Sequence, residues 1–142
     1  ATLEFEPFEI ALVRAEKAVV RELTRSLAPL DLKIAQLDVL MNLYRHPGMS
    51  QHDLARRLLV GRSNITMLLP QLEKQGVLRR EGDSKDKRVM RLFLTEDGEA
   101  LLMKALKIYS ALIEKVMAQS SPNECDALGT QMRRIEEMLK SE

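Results

Sequence analysis

The chain has 142 residues, a formal net charge of +1, 45% hydrophobic residues and one cysteine. This length suffices for one ordinary domain with its own core, without disulfide or metal staples. The lone Cys125 excludes an intramolecular disulfide, and no apolar run approaches the roughly 18 residues of a membrane span. No basic-then-apolar leader opens the sequence, so a reduced, cytoplasmic setting is expected, and Ala1 in place of an initiator Met points to a trimmed or processed N-terminus.

Pro7 fits the first turn of a helix, and Ile10, Val13, Lys17, Val20, Leu23 and Leu27 then recur at helical spacing. This first helix should stop near Ala28-Pro29, because the residue before a proline disfavours helical backbone. A second helix is predicted from about Ala35 to Tyr44, with Leu37, Leu40, Met41 and Tyr44 on one face, closed by the turn-forming His46-Pro47-Gly48. Ser50, with Asp53 in the positive first turn, opens a short third helix from Gln51 to about Leu59 that turns Leu54 and Leu58 inward. Gly61 breaks the chain. A fourth helix from about Arg62 to Gln75 buries the stripe Ile65, Leu68, Leu69 and Leu72 and ends at Gly76.

Val77 to Glu81 and Val89 to Leu94 are short, apolar and β-branched, and the polar loop between them predicts a long hairpin. Thr95 can cap a long amphipathic helix carrying Leu101, Leu102, Ala105, Ile108, Leu112 and Val116 to about Gln119. Ser121-Pro122-Asn123-Glu124 is a capping box with Pro at the first helical position, opening a last helix to about Lys140. The expected fold is mainly α with a small β-wing. Its middle has the order of a winged helix-turn-helix, with six helices and a two- to three-stranded sheet in all.

Charge is uneven along this order. Between Ser50 and Arg91 ten Lys or Arg stand against five acids, so the segment is +5 and the remainder −4. A basic central module between acidic arms is the electrostatic footprint of a nucleic-acid lobe. The flanking helices carry more apolar positions than one monomer buries easily, among them Ile10, Val13, Ile108, Leu112, Leu128, Met132, Ile135 and Leu139. Packing against a second copy is the economical solution, and it gives two reading helices a two-fold relation. Residues 1–30 and 99–142 are therefore expected to form a helical dimerisation region, and residues 33–98 the DNA-binding lobe.

Three groups of residues in fixed order resemble the MarR family of bacterial transcription regulators. They are Asn64-Ile65 followed by Leu72-Glu73-x-x-Gly76, then Asp86-x-Arg88, then Leu94-Thr95-x-x-Gly98; Gln36-Leu37-Asp38-Val39-Leu40 is similar to the family's second-helix opening. The resemblance covers nearly the whole chain. It implies a homodimer with interlocked terminal helices, wings that grip the minor grooves, and repression relieved when a small effector, often aromatic or anionic, shifts the spacing of the reading helices. The pseudo-palindromic double-stranded operator and the effector itself are not named by the sequence.

On the fourth helix Arg62, Ser63, Asn64 and Thr66 lie at the start, where side chains meet phosphates or base edges, and Met67, Gln71 and Lys74 lie on the outward face. Lys85, Lys87 and Arg88 lie at the wing tip, where the family's matching Arg enters a minor groove, and Asp86 is implied to orient that guanidinium. Arg79 and Arg80 fit phosphate contacts or strand-surface charges equally well. Departures from the family pattern are Met67 in place of a small polar residue or Arg, Pro70 inside the helix, Gly61 and Lys33 in place of capping residues, and Val77. Pro70 should leave the helix intact but bent.

No nucleophile with a base, phosphate-cradling Gly loop or ligand cluster points to an enzyme, a cofactor or a metal. His46 and His52 lack a third ligand, and Cys125 lies in the last helix rather than in the first, where redox-sensing relatives carry their reactive thiol. The alternative to a DNA-binding regulator is a protein-interaction adaptor that keeps the winged fold without specific DNA reading, a reading motivated by Met67 and Pro70.

Overall fold

The computed structural model describes residues 6–59 and 65–140. Among them, six α-helices and three strands follow in the order α1 (Glu6–Leu27), a 3-10 turn (Ala28–Leu30), α2 (Ile34–Arg45), β1 (Met49–Ser50), α3 (Gln51–Arg57), α4 (Ile65–Lys74), β2 (Leu78–Gly82), β3 (Met90–Leu94), α5 (Glu96–Met117) and α6 (Pro122–Lys140). The strands form one antiparallel sheet in the order β1-β3-β2, so the mainly α winged helix-turn-helix fold expected from the sequence is present. The chain divides into two compact units, residues 1–108 and 109–142, with the boundary inside α5.

In the first unit, α2 is the central helix, touching α1, α3, α4 and β3. It buries Gln36, Leu37, Val39, Leu40 and Leu43. Tyr44, expected on that face, is instead 49% exposed, because the buried face includes Val39 and centres on Leu40 and Leu43, leaving Tyr44 at its rim. Lys33 supplies no side-chain cap. Gln36 makes up for it: its Oε1 accepts from the Lys33 N–H at 2.9 Å, which gives the buried side chain a partner. Leu27, Leu40, Leu43, Leu54, Leu69, Leu72 and Leu92 are almost wholly removed from solvent, each contributing about 1.5–3 kcal/mol of transfer free energy.

The third strand completes the expected two- to three-stranded sheet with residues to which the sequence assigned no strand, Met49 and Ser50. Gly48 takes φ +82, a conformation open to glycine, and its N–H donates to the Leu92 carbonyl at 2.9 Å. Met49 and Ser50 then pair with Leu92 and Arg91. Ser50 also caps α3, its Oγ accepting from the Asp53 N–H at 3.1 Å. Two helices end earlier than expected: α3 stops at Arg57, where Leu58 turns extended while staying buried, and α5 stops at Met117.

β2 and β3 pair from Leu78 with Leu94 to Gly82 with Met90. After β3, Thr95 Oγ1 accepts from the Gly98 N–H at 3.0 Å and donates to the Gly76 carbonyl at 2.6 Å, while the Thr95 N–H reaches the Val77 carbonyl at 3.2 Å. The start of α5 is thereby tied to the residues that end α4. In the second unit, the expected capping box is complete: Ser121 N–H donates to Glu124 Oε1 at 2.9 Å and Glu124 N–H to Ser121 Oγ at 3.2 Å. These bonds hold the Glu124 carboxyl below its ordinary pKa. α6 has no buried residue, and Leu128, Met138 and Leu139 are each 60% exposed.

Candidate nucleic-acid interface

α4 is amphipathic for a simple reason. Ile65, Leu68, Leu69 and Leu72 fall at i, i+3, i+4 and i+7 and are all buried, which turns Thr66, Met67, Pro70, Gln71 and Lys74 outward. Arg62, Ser63 and Asn64, expected at the helix start, lie outside the described residues, as does Gly61. The helix is continuous across Pro70, as expected. Its end is a Schellman motif: Val77 N–H donates to the Leu72 carbonyl at 3.1 Å and Gly76 N–H to the Glu73 carbonyl at 3.0 Å, with Gly76 at φ +77. Val77 and Leu72, the two positions that are commonly apolar in that motif, are both buried.

The wing loop is organised by two aspartates. Asp83 Oδ2 accepts from the backbone N–H groups of Lys85 (3.1 Å) and Asp86 (3.0 Å), and its Oδ1 accepts from Arg91 Nε (3.2 Å). Asp86 takes the Arg88 guanidinium in a two-pronged pair, Oδ1 with Nε and Oδ2 with Nη2, both 3.1 Å, and also accepts the Arg88 N–H at 3.0 Å. The backbone donors of Asp86 and Lys85, with Arg91, hold the Asp83 carboxyl below the usual range. The Arg88 side chain and N–H do the same for Asp86. The Arg88 side chain remains 91% exposed while so held, so its pairing is a weak surface contact that orients the charge without hiding it. Lys74, Lys85 and Lys87 make no ion pair among the described residues. They place positive charge on the same lobe.

Arg79 and Arg80, left open between phosphate contact and strand charge, both have protein partners. Arg79 lies over the Phe93 ring, 4.4 Å from its centroid, and pairs with Glu81. Arg80 pairs with Glu73 of α4 and reaches Gln51 Oε1 of α3 at 3.4 Å, so it ties the sheet to both helices. Three further positioning residues went unread in the sequence. Asp83 and Arg91 form the wing's inner anchor, with Arg91 Nη1 also reaching the Gly48 carbonyl at 3.4 Å. Asp38 of α2 accepts the Leu59 N–H at 2.7 Å, just ahead of the approach to α4. The turn chemistry of Gly82-Asp83-Ser84 was a signal for the first; the reach of Asp38 across 21 residues left none.

An open groove of about 500 Å³ runs between α3, the start of α4 and the wing, lined by residues including Ser50, His52, Ala55, Ile65, Arg88 and Met90. Among the described residues no group of three His, Cys, Asp or Glu side chains is placed to hold a metal ion, and no helix is long and apolar enough to cross a membrane. The Cys125 Sγ stands 4.0 Å from the Met117 carbonyl within its own unit.

The profile of the MarR family matches residues 30–89. An uncharacterised HTH-type transcriptional regulator of Bacillus subtilis, YkoM, is 32% identical over 115 residues, 81% of this chain and 75% of that protein. The structure is similar to that of the transcriptional repressor CouR bound to a 23-mer DNA duplex, with 31% identity, 89% of each chain covered and a TM-score of 0.82. It shares its fold with Bordetella bronchiseptica BpsR, whose DNA binding is regulated by 6-hydroxynicotinic acid, at 21% identity, with 93% and 94% of the two chains covered and a TM-score of 0.84. With the fold, the wing and the motif order in agreement, the chain belongs to the MarR family of winged helix-turn-helix transcriptional regulators, DNA-binding proteins rather than enzymes.

Proposed function

We propose that the chain acts in the cytoplasm as a homodimeric repressor that binds a pseudo-palindromic operator and is released by a small-molecule effector. The observation that carries this reading is the set of Lys74, Lys85 and Lys87, which make no ion pair among the described residues, and the outward-held Arg88, on the same lobe as the polar face of α4. In this reading α4 enters the major groove with Thr66, Met67 and Gln71, preceded by Arg62, Ser63 and Asn64, while Lys74 and the wing tip meet phosphates and the flanking minor groove. Asp86 acts through Arg88 by fixing its direction. Residues 33–98 serve as the DNA lobe, and residues 1–30 and 99–142 form the dimer. The exposed apolar positions Ile10 and Val13 of α1 and Leu128, Met138 and Leu139 of α6 support a second copy as their cover. Repression is supported by the likeness to CouR, and effector release by family likeness.

Selection from a random duplex library with the full chain tests the reading, together with sedimentation of the free protein. The expected result is a dimer that enriches a two-fold-related sequence with half-sites about one helical turn, roughly 34–36 Å, apart. Failure to enrich any sequence would favour the adaptor reading instead.

A further inference from the structure

The outward face of α4 is not uniformly polar. Met67 is 66% exposed, and Pro70, one turn later, is exposed as well. Residues three apart on a helix lie on one face, separated by about 4.5 Å along the axis, comparable with the ~3.4 Å between successive bases of a strand. Neither side chain donates a hydrogen bond, and the thioether is only a weak acceptor. Pro70 also forfeits a helical hydrogen bond to the Thr66 carbonyl that most other residues would make. Elsewhere among the described residues of 33–98, only Tyr44 and Leu59 are large exposed hydrophobics, and neither belongs to α4. Thus an apolar pair sits in the middle of the face that otherwise carries Thr66, Gln71 and Lys74.

Among the groups displayed in a major groove, one is apolar: the C5-methyl of thymine. We infer that Met67 and Pro70 are specificity-determining residues that read thymine methyls at one or two neighbouring steps of each half-site. The inference rests on α4 being the reading helix. Polar neighbours then serve the rest of the step: Gln71 has an amide that can pair with an adenine edge, and Lys74 supplies charge for a phosphate.

Replacing each thymine of the selected duplex in turn by deoxyuracil removes the methyl and nothing else. The protein should lose about fourfold in affinity at one or two positions per half-site, the value of one buried methyl. Met67→Ala should be indifferent to uracil at one of these positions, Pro70→Ala at the neighbouring one, and Met67→Leu should keep the parent's response. Both residues are exposed, and the melting temperature of each variant checks that it is folded. If the duplex is selected and bound with steep salt dependence, yet every uracil changes affinity by less than twofold, the inference fails and the DNA-binding reading stands. The inference fails equally if Met67→Ala responds to uracil as the parent does. If no duplex is selected, both fall.

Discussion

The β-carbon that Gly98 lacks would stand 2.1 Å from the carbonyl oxygen of Val77. No side chain fits there, because the obstacle is backbone rather than the end of a flexible group. The same carbonyl accepts the Thr95 N–H, and Thr95 Oγ1 joins Gly98 to Gly76. The Leu94-Thr95-x-x-Gly98 motif is therefore a clasp that sets the first turn of α5 directly on the residues that terminate α4.

Gly98→Ala is expected to cost about 3 kcal/mol, the upper range for forced overpacking, and to lower Tm by roughly 10 °C. Thr95→Val, which removes two hydrogen bonds, one of them the cap, without a clash, should cost about 1–2 kcal/mol. Calorimetry or thermal circular dichroism checks both. A Gly98→Ala protein melting within about 2 °C of the parent would contradict the close packing.

Asp86→Ala separates orientation from charge at the wing tip. The substitution removes one negative charge from the lobe but frees the Arg88 guanidinium from its two-pronged partner. Affinity for random duplex should hold or rise while affinity for the selected duplex falls several-fold, narrowing the specificity ratio. Equal changes for both duplexes in fluorescence anisotropy would mean that Asp86 does not position Arg88 for sequence-dependent contact.

The wing should loosen in acid. Asp83 and Asp86 are held below their ordinary pKa in the folded chain, so the unfolded chain binds protons first as pH falls. Their contribution to stability is therefore fully present above the unfolded value of about 3.9 and is lost as pH drops through the lower folded values. Hydrogen exchange at the Lys85 and Asp86 amides, which donate to Asp83, should stay protected relative to Asp83→Asn at about pH 5 to 7. In melts, the difference between that variant and the parent should shrink below about pH 4. A difference that grows in acid would reverse the assigned sign.

Pro70→Ala restores a donor inside α4 and removes a ring from its outward face. The helix should gain up to about 3 kcal/mol, less whatever the fold already relieves. A higher Tm with altered sequence preference is the expected outcome. A lower Tm would show that the proline's shape is required for packing.

Element type followed from periodicity wherever one face of a helix had to be apolar, as with Ile65, Leu68, Leu69 and Leu72 in α4, or where a cap was local, as with Ser121 and Glu124. What escaped was decided by partners distant in sequence. Met49 and Ser50 are a strand because β3 lies beside them, and two residues carry no alternation to read. Leu58 leaves the helix where the Asp38 carboxylate collects the next N–H. Of the candidate site, the outward face of α4 and the charged wing were legible from spacing and composition. The pairing of Asp83 with Arg91, and the engagement of Arg80 by Glu73 and Gln51, were not, because contacts between a loop or strand and residues of other elements leave no periodic trace.

The proposed function turns on the wings delivering charge to DNA through Arg88. The direct test is the slope of log affinity against log salt concentration for the selected duplex, measured for the parent and for Arg88→Ala. Each lost phosphate contact removes about 0.9 from the slope, so a dimer losing one per wing should show a slope shallower by about 2 and a weaker affinity at every salt concentration. A slope and an affinity unchanged by the substitution would contradict that role.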